Sequence, residues 1–187
     1  MANEQQRALK KLQELQVANG GWTWFKGMPE SRYITQHIVT GMGRLKHMGV
    51  TNIKGDSKSW NMTLAAVQYL DNRIKNDYDY LKKYKIDLGK NNIGYEQIMY
   101  LYARSYFIND SEISSRNKEA YQYYFNQAKK YWLSNSRYMQ GMIAVAMNRS
   151  KEVSTATKIV ASLKENTINH DELGMYWNEN SGGYFSY

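Results

Sequence analysis

Few residues of this 187-residue sequence could do chemistry. It contains no cysteine, which excludes a thiol nucleophile, a Cys-ligated zinc, an iron–sulfur centre and a disulfide framework within it. The three histidines, His37, His47 and His170, are dispersed. His37 and His47 fall about 80° apart on a wheel of 3.6 residues per turn, and no His-x-x-x-His or His-Glu-x-x-His spacing occurs, so neither a metal site nor a cofactor is expected. Acid pairs of the kind that cleave glycans are offered by Asp77 with Asp79, Asp110 with Glu112, and Asp171 with Glu172. Asp77 and Asp79 flank Tyr78, whose place on an apolar stripe turns both acids toward solvent. The group His170, Asp171, Glu172, Tyr176 and Trp177 is the one cluster that could line a sugar cleft; its plainer reading is a polar loop before a hairpin. Gly41-Met42-Gly43 lies inside a helical pattern and reads as close helix packing rather than a phosphate loop. No serine sits in Gly-x-Ser-x-Gly, and no Asp-rich diphosphate motif is present. The expectation is a protein that is not an enzyme.

These residues are carried on helices. Apolar positions recur every three or four residues over 4–17 (Leu9, Leu12, Leu15), 32–48 (Ile34, Ile38, Met42, Leu45, Met48) and 59–84 (Trp60, Leu64, Val67, Leu70, Ile74, Tyr78, Leu81). The pattern resumes over 95–108, 113–132, 136–148 and 151–167, the last with Val153, Ala156, Val160 and Leu163 inward and Ser150 as its cap. Pro29 is the only proline, so little interrupts long helices. Short polar connections make consecutive helices antiparallel neighbours. The end differs: Met175-Tyr176-Trp177 and Tyr184-Phe185-Ser186-Tyr187 read as short strands around a glycine turn. The expected fold is all-α, about seven helices plus a short C-terminal β-hairpin, arranged as a layered or toroidal α/α array of terpenoid-cyclase type. One domain is expected over 1–187.

The formal charge is +8, from 25 Lys and Arg against 17 Asp and Glu. The basic residues are scattered, in pairs at most, and none follows Lys164, whereas Asp171, Glu172 and Glu179 do. Without a basic stripe or a nucleic-acid module, the charge reads as a solvated surface, and no nucleic-acid partner is expected. No run of 18 apolar residues exists to insert in a membrane.

The most specific pattern is Gln16-x-x-x-Gly20-x-Trp22, with Leu12 four residues before the glutamine. It resembles the helix-ending motif of α/α-toroid proteins, in which the glutamine ties helix ends together and the tryptophan covers them. The longer runs, Gln16 to Gly27 (with Gly20-Gly21-Trp22-Thr23-Trp24-Phe25) and Ser31 to Gly41, resemble the thioester-domain region of bacterial alpha-2-macroglobulin family proteins. So does the tail, Asp171 to Trp177 followed by Gly182-Gly183-Tyr184. The resemblance covers nearly the whole chain, in the right order.

What it implies is an α/α toroid, incomplete here, within a large multidomain protein of the bacterial periplasm or cell envelope. Such proteins are broad proteinase traps: cleavage of a bait region rearranges the parent, and an internal Cys–Gln thioester acylates the attacker. Expected partners are the other domains of the parent and the trapped proteinases, with the chain itself a monomer. Gln16, Gly20, Gly21, Trp22 and Trp24 would be structural. The sequence departs from the family in lacking the thioester's Cys-x-Glu-Gln, which by family order lies upstream of residue 1. It also lacks a histidine in the 84–94 loop, where the complement branch uses one for acyl transfer. The alternative is an α/α-toroid carbohydrate-active or glycan-binding domain using Asp171, Glu172 and Trp177.

Overall fold

The computed structural model describes residues 2–49 and 55–177. Its elements in chain order are α1 (Ala2–Leu15), β1 (Trp22–Thr23), β2 (Glu30–Ser31), α2 (Arg32–Met48), α3 (Ser57–Lys83), α4 (Tyr95–Ser105), α5 (Ser115–Tyr131), α6 (Arg137–Arg149), α7 (Val153–Glu165), β3 (Ile168–His170) and β4 (Gly174–Tyr176). A single 3₁₀ turn, Trp132–Ser134, follows α5. The fold is all-α with a short hairpin near its end.

Local chemistry explains the helix limits. The Ser31 hydroxyl accepts from the Ile34 amide at 3.3 Å to open α2, and Gly49, at φ 64°, closes it in the left-handed conformation that glycine adopts without strain. Asp56 caps α3 through the Lys58 amide, and Ser136 caps α6 through the Met139 amide. Ser150 belongs to the C-terminus of α6, not to the start of α7 as expected; Glu152 opens α7. The missed strands β1 and β2 form a two-residue antiparallel pair, Trp22 opposite Ser31, too short for periodicity to reveal.

Helices pack on their sequence neighbours and also on the helix two places along. α2 lies against α4 and α4 against α6, while α3 lies against α5; the α2–α3 and α6–α7 hairpins join the two layers. Cross-links fix the directions. Gln36 near the start of α2 donates to the Glu96 carbonyl near the start of α4, and Arg44 near the end of α2 reaches the Tyr102 hydroxyl near the end of α4. Asn117 donates to Asn72, and Tyr78 reaches Glu119, so α3 and α5 also run together. The result is two layers, each of parallel helices. Among the described residues, no extensive packing of α7 on α1 or α2 closes these layers into a ring.

The core runs through both layers and includes Trp22, Val39, Leu70, Ile74, Ile98, Tyr100, Phe107, Tyr124, Ile143, Met147 and Ile159. α4, central in its layer, is buried on nearly every face. The α3 stripe from Val67 to Leu81 is buried as its spacing predicts. In α2 the buried face is turned by one residue from the expected one. Thr35, Gln36, Val39, Thr40, Met42 and Gly43 are inside, Ile34, Ile38 and Leu45 are half-buried, and Met48 is exposed. Their polar side chains find partners on the backbone: Thr35 Oγ1 donates to the Ser31 carbonyl, Thr40 Oγ1 to the Gln36 carbonyl, and Gln36 Nε2 to the Glu96 carbonyl of α4, while Gln36 Oε1 is buried without a partner. In α7, Val153 and Val160 are exposed and Ala156 and Ile159 are buried, another correction of phase.

Acidic residues also depart from their expected places. Asp77 is not a solvated acid: it accepts from Arg32 Nη1 at 2.7 Å and Gln97 Nε2 at 2.8 Å, tying α3 to α2 and α4. Asp79 is exposed and pairs with Lys75 one turn earlier. Asp71 is buried and accepts from Arg104 Nε at 3.0 Å and Tyr100 Oη at 2.7 Å, while Arg104 Nη2 donates to the Ser111 carbonyl at 2.6 Å. Burial raises the Asp71 carboxyl above the ordinary aspartate value despite the opposing charge and hydrogen bonds of Arg104 and the hydrogen bond of Tyr100.

The phenols supply a prediction. Burial, then the hydrogen bond to Glu119, pushes Tyr78 from 10.0 up to about 12, and burial raises Tyr100 and Tyr124 as well. A phenol raised by folding contributes stability that is whole below the unfolded value and is lost as pH rises through the folded one. Stability is therefore expected to fall between pH 10 and about 12, with these phenols ionising late or only on unfolding. A spectrophotometric titration in which every tyrosine ionises together near 10.0, with the helices intact, would contradict this packing.

Candidate functional site

The Gln-Gly-Trp segment forms the joint between α1 and the layers. After Leu15 the chain turns through Gln16, whose amide still reaches the Leu12 carbonyl at 3.1 Å. Both hydrogens of the Gln16 side-chain amide are used: Nε2 donates to the Gly20 carbonyl at 2.9 Å and to the Met62 carbonyl in α3 at 2.8 Å. Gly20 has φ +91°, and a Cβ there would sit 2.3 Å from the Ala65 carbonyl oxygen, so backbone crosses backbone without room for a side chain. At Gly21 a Cβ would lie 2.9 Å from Glu30 Cβ and 3.0 Å from the Tyr69 ring. Trp22 is fully buried; its indole Nε1 donates to the Leu12 carbonyl at 2.8 Å and its amide to Thr35 Oγ1 at 2.8 Å. One residue thus satisfies a carbonyl near the end of α1 and fastens the joint to α2. Trp24, two residues on, takes no part in this network. It is 52% exposed and stacks on Tyr33, which in turn lies against His37 with ring centroids 4.3 Å apart.

The tail places its candidate residues differently from a two-acid cleft. The hairpin pairs Ile168 with Tyr176 and His170 with Gly174, so Met175-Tyr176 folds back on residues 168–169; the expected partner strand at 184–187 lies outside the described residues, as do Gly182 and Gly183. His170 Nδ1 accepts from the Glu172 and Leu173 amides at 3.2 and 3.3 Å and so shapes the turn. Asp171 and Glu172 stand exposed on that turn. Trp177 is half-exposed, and its Nε1 donates to the Leu163 carbonyl at the end of α7.

Trp177 also lines a groove of about 790 Å³ over the outer faces of α2, α4 and α6, with Arg44, Tyr102, Arg137, Tyr138, Val145 and Leu163. At one end the Tyr102 and Tyr106 hydroxyls are 2.9 Å apart, and the Arg149 guanidinium lies 3.6 Å over the Tyr106 ring. Burial opposes ionisation of Tyr106, but hydrogen bonds from Tyr102, Arg149 and Arg44 and the charge of Arg149 outweigh it and hold its phenol below the ordinary value. Burial, and then the hydrogen bond to Tyr106, raises Tyr102. Gly43 explains how the rings fit: its Cβ would lie 2.5 Å from the Tyr106 ring, so the close packing expected of Gly41-Met42-Gly43 is made by Gly43, while Gly41 faces open space.

Sequence reasoning did not find this groove. Its residues come from α2, α4, α6 and α7 and from Trp177, and of these the sequence offers only Trp177 as lining a cleft. No group of three or more acidic or histidine side chains that could hold a metal ion occurs among the described residues. Comparison of the chain with protein-family models, with curated proteins and with solved structures finds no match.

The two tryptophans give a paired test of the joint. Trp22→Ala empties a fully buried indole site and is expected to lower the unfolding free energy by about 3 to 5 kcal/mol. Trp24→Ala, at an exposed ring, is expected to change it by less than about 0.5 kcal/mol. Equal effects in denaturant titrations would show that the joint is not held by the Trp22 indole.

Proposed function

We propose that this chain is a non-enzymatic scaffold: part of the α/α toroid of an alpha-2-macroglobulin-like proteinase trap of the bacterial cell envelope. The observation that carries the reading is the Gln16–Trp22 joint. Part of the pattern on which the family resemblance rests ties α1 to α2 and α3: Gln16 bridges the Gly20 and Met62 carbonyls, and buried Trp22 donates to the Leu12 carbonyl and to Thr35. The parallel two-layer arrangement agrees with a segment of such a toroid.

The candidate acids favour a scaffold over a glycan-cleaving site. Asp77 is engaged by Arg32 and Gln97, and Asp171 and Glu172 are exposed on a hairpin turn rather than facing each other across a cleft. Retaining and inverting glycosidases need two carboxyls held about 5 to 9.5 Å apart around a bond. In this reading the chain presents its surface to the other domains of its parent, and the trapped proteinases are partners of the whole protein. The glycan alternative keeps one support, Trp177 in the groove.

The test uses the full parent protein, incubated with an endoproteinase and followed by native electrophoresis and size-exclusion chromatography. Cleavage at one internal segment, a change of hydrodynamic size and co-elution of the proteinase are expected. Cleavage with neither a change of shape nor retained proteinase would overturn the trap reading.

A further inference from the structure

Arg44 and Arg137 line the groove over α2, α4 and α6, and Arg149 lies beside it over the Tyr102 and Tyr106 rings. Arg32 and Arg104 are paired with Asp77 and Asp71. Arg44 and Arg149 have no carboxylate partner among the described residues and rest instead on Tyr102 and Tyr106, with Arg149 also reaching Ser105 Oγ. A guanidinium held on phenol rings keeps donors that a carboxylate can take in bidentate fashion. Next to these cations the floor is apolar, made by Met142, Val145 and Leu163 with the exposed rings of Tyr138 and Trp177 beside it. Space is built in at Gly141, where a Cβ would meet nothing within 4 Å.

The lining chemistry selects among ligands. Among the described residues no Asp, Glu, Asn or Gln lines the groove, so the carboxylate and amide acceptors that commonly take sugar hydroxyls are missing there, and its aliphatic floor suits apolar side chains. With no described acid paired to Arg44 or Arg149, and Arg137 also in the lining, the cations of the groove favour negative partners. We propose that this groove docks an extended polypeptide segment of a partner protein in which carboxylates alternate with apolar or aromatic side chains. The carboxylates pair with Arg44 and Arg149, and the apolar side chains lie on Val145 and Leu163. This goes beyond the proteinase-trap reading and does not depend on it.

The test measures fluorescence anisotropy of three labelled probes on the intact chain: an Asp-Leu-Glu-Phe-Asp-Leu peptide, its counterpart with lysine for each acid, and an oligogalacturonate. Saturable binding of the acidic peptide alone, weakening as salt rises, is expected. Arg44→Glu should weaken it about tenfold by reversing a charge at the contact. Gly141→Phe should abolish it by filling the groove while the melting temperature holds, because glycine is among the poorest residues in a helix interior. Acidic-peptide binding that survives both substitutions would assign it to the +8 surface and overturn the proposal. Binding of oligogalacturonate in the peptide's place would make the groove a glycan site, and absence of binding by all three probes would remove the docking role.

Discussion

The buried ion pair between Asp71 of α3 and Arg104 of α4 is the constraint on which the two-layer arrangement depends. Both side chains are almost wholly withdrawn from water, and desolvating a charge costs several kcal/mol per ion unless partners are correctly placed. Here Tyr100 adds a hydrogen bond to the carboxylate and the Ser111 carbonyl takes one from the guanidinium. A slip of α4 along α3 would leave two buried charges unpaired, so apolar contacts that tolerate sliding are held to one register. Burial raises the Asp71 carboxyl even beside these partners, in keeping with a pair that specifies position more than it adds stability.

With α4 fixed, the other layer contacts follow. α2 is tied to α4 by Gln36 near its start and by Arg44 near its end, and Asp77 of α3 gathers Arg32 and Gln97 at the α2 and α4 starts. The Gln16–Trp22 joint adds α1 to this frame through one carbonyl of α3 and one hydroxyl of α2. These links are polar bonds, most of them wholly or partly buried. They have direction as well as strength, which explains how helices with modest apolar stripes reach a defined arrangement.

The groove is a consequence of the same frame. Parallel packing of α2, α4 and α6 brings Arg44, Tyr102, Tyr106 and Arg149 to one end of the layer. Gly43 lets the Tyr106 ring approach α2, and Arg149 packs on that ring. A protein that buries Asp71 to satisfy Arg104 but leaves Arg44 and Arg149 on phenols has kept cationic capacity at its surface.

The sequence by itself determined the helical class, the approximate helix spans and the turn at Gln16, Gly20 and Trp22, because periodicity, glycine and caps act over a few residues. It misjudged the inward faces of α2 and α7, since buried Thr35, Gln36 and Thr40 carry no apolar signal and exposed Val153 and Val160 do. It read Asp77 as solvated because its partners Arg32 and Gln97 are 45 and 20 residues away. Tertiary structure alone decided the layer order, the burial of Asp71 with Arg104 and the existence of the groove. The physical reason is that desolvation and pairing of a charge depend on residues distant in the chain, whereas the local preferences that build each helix do not.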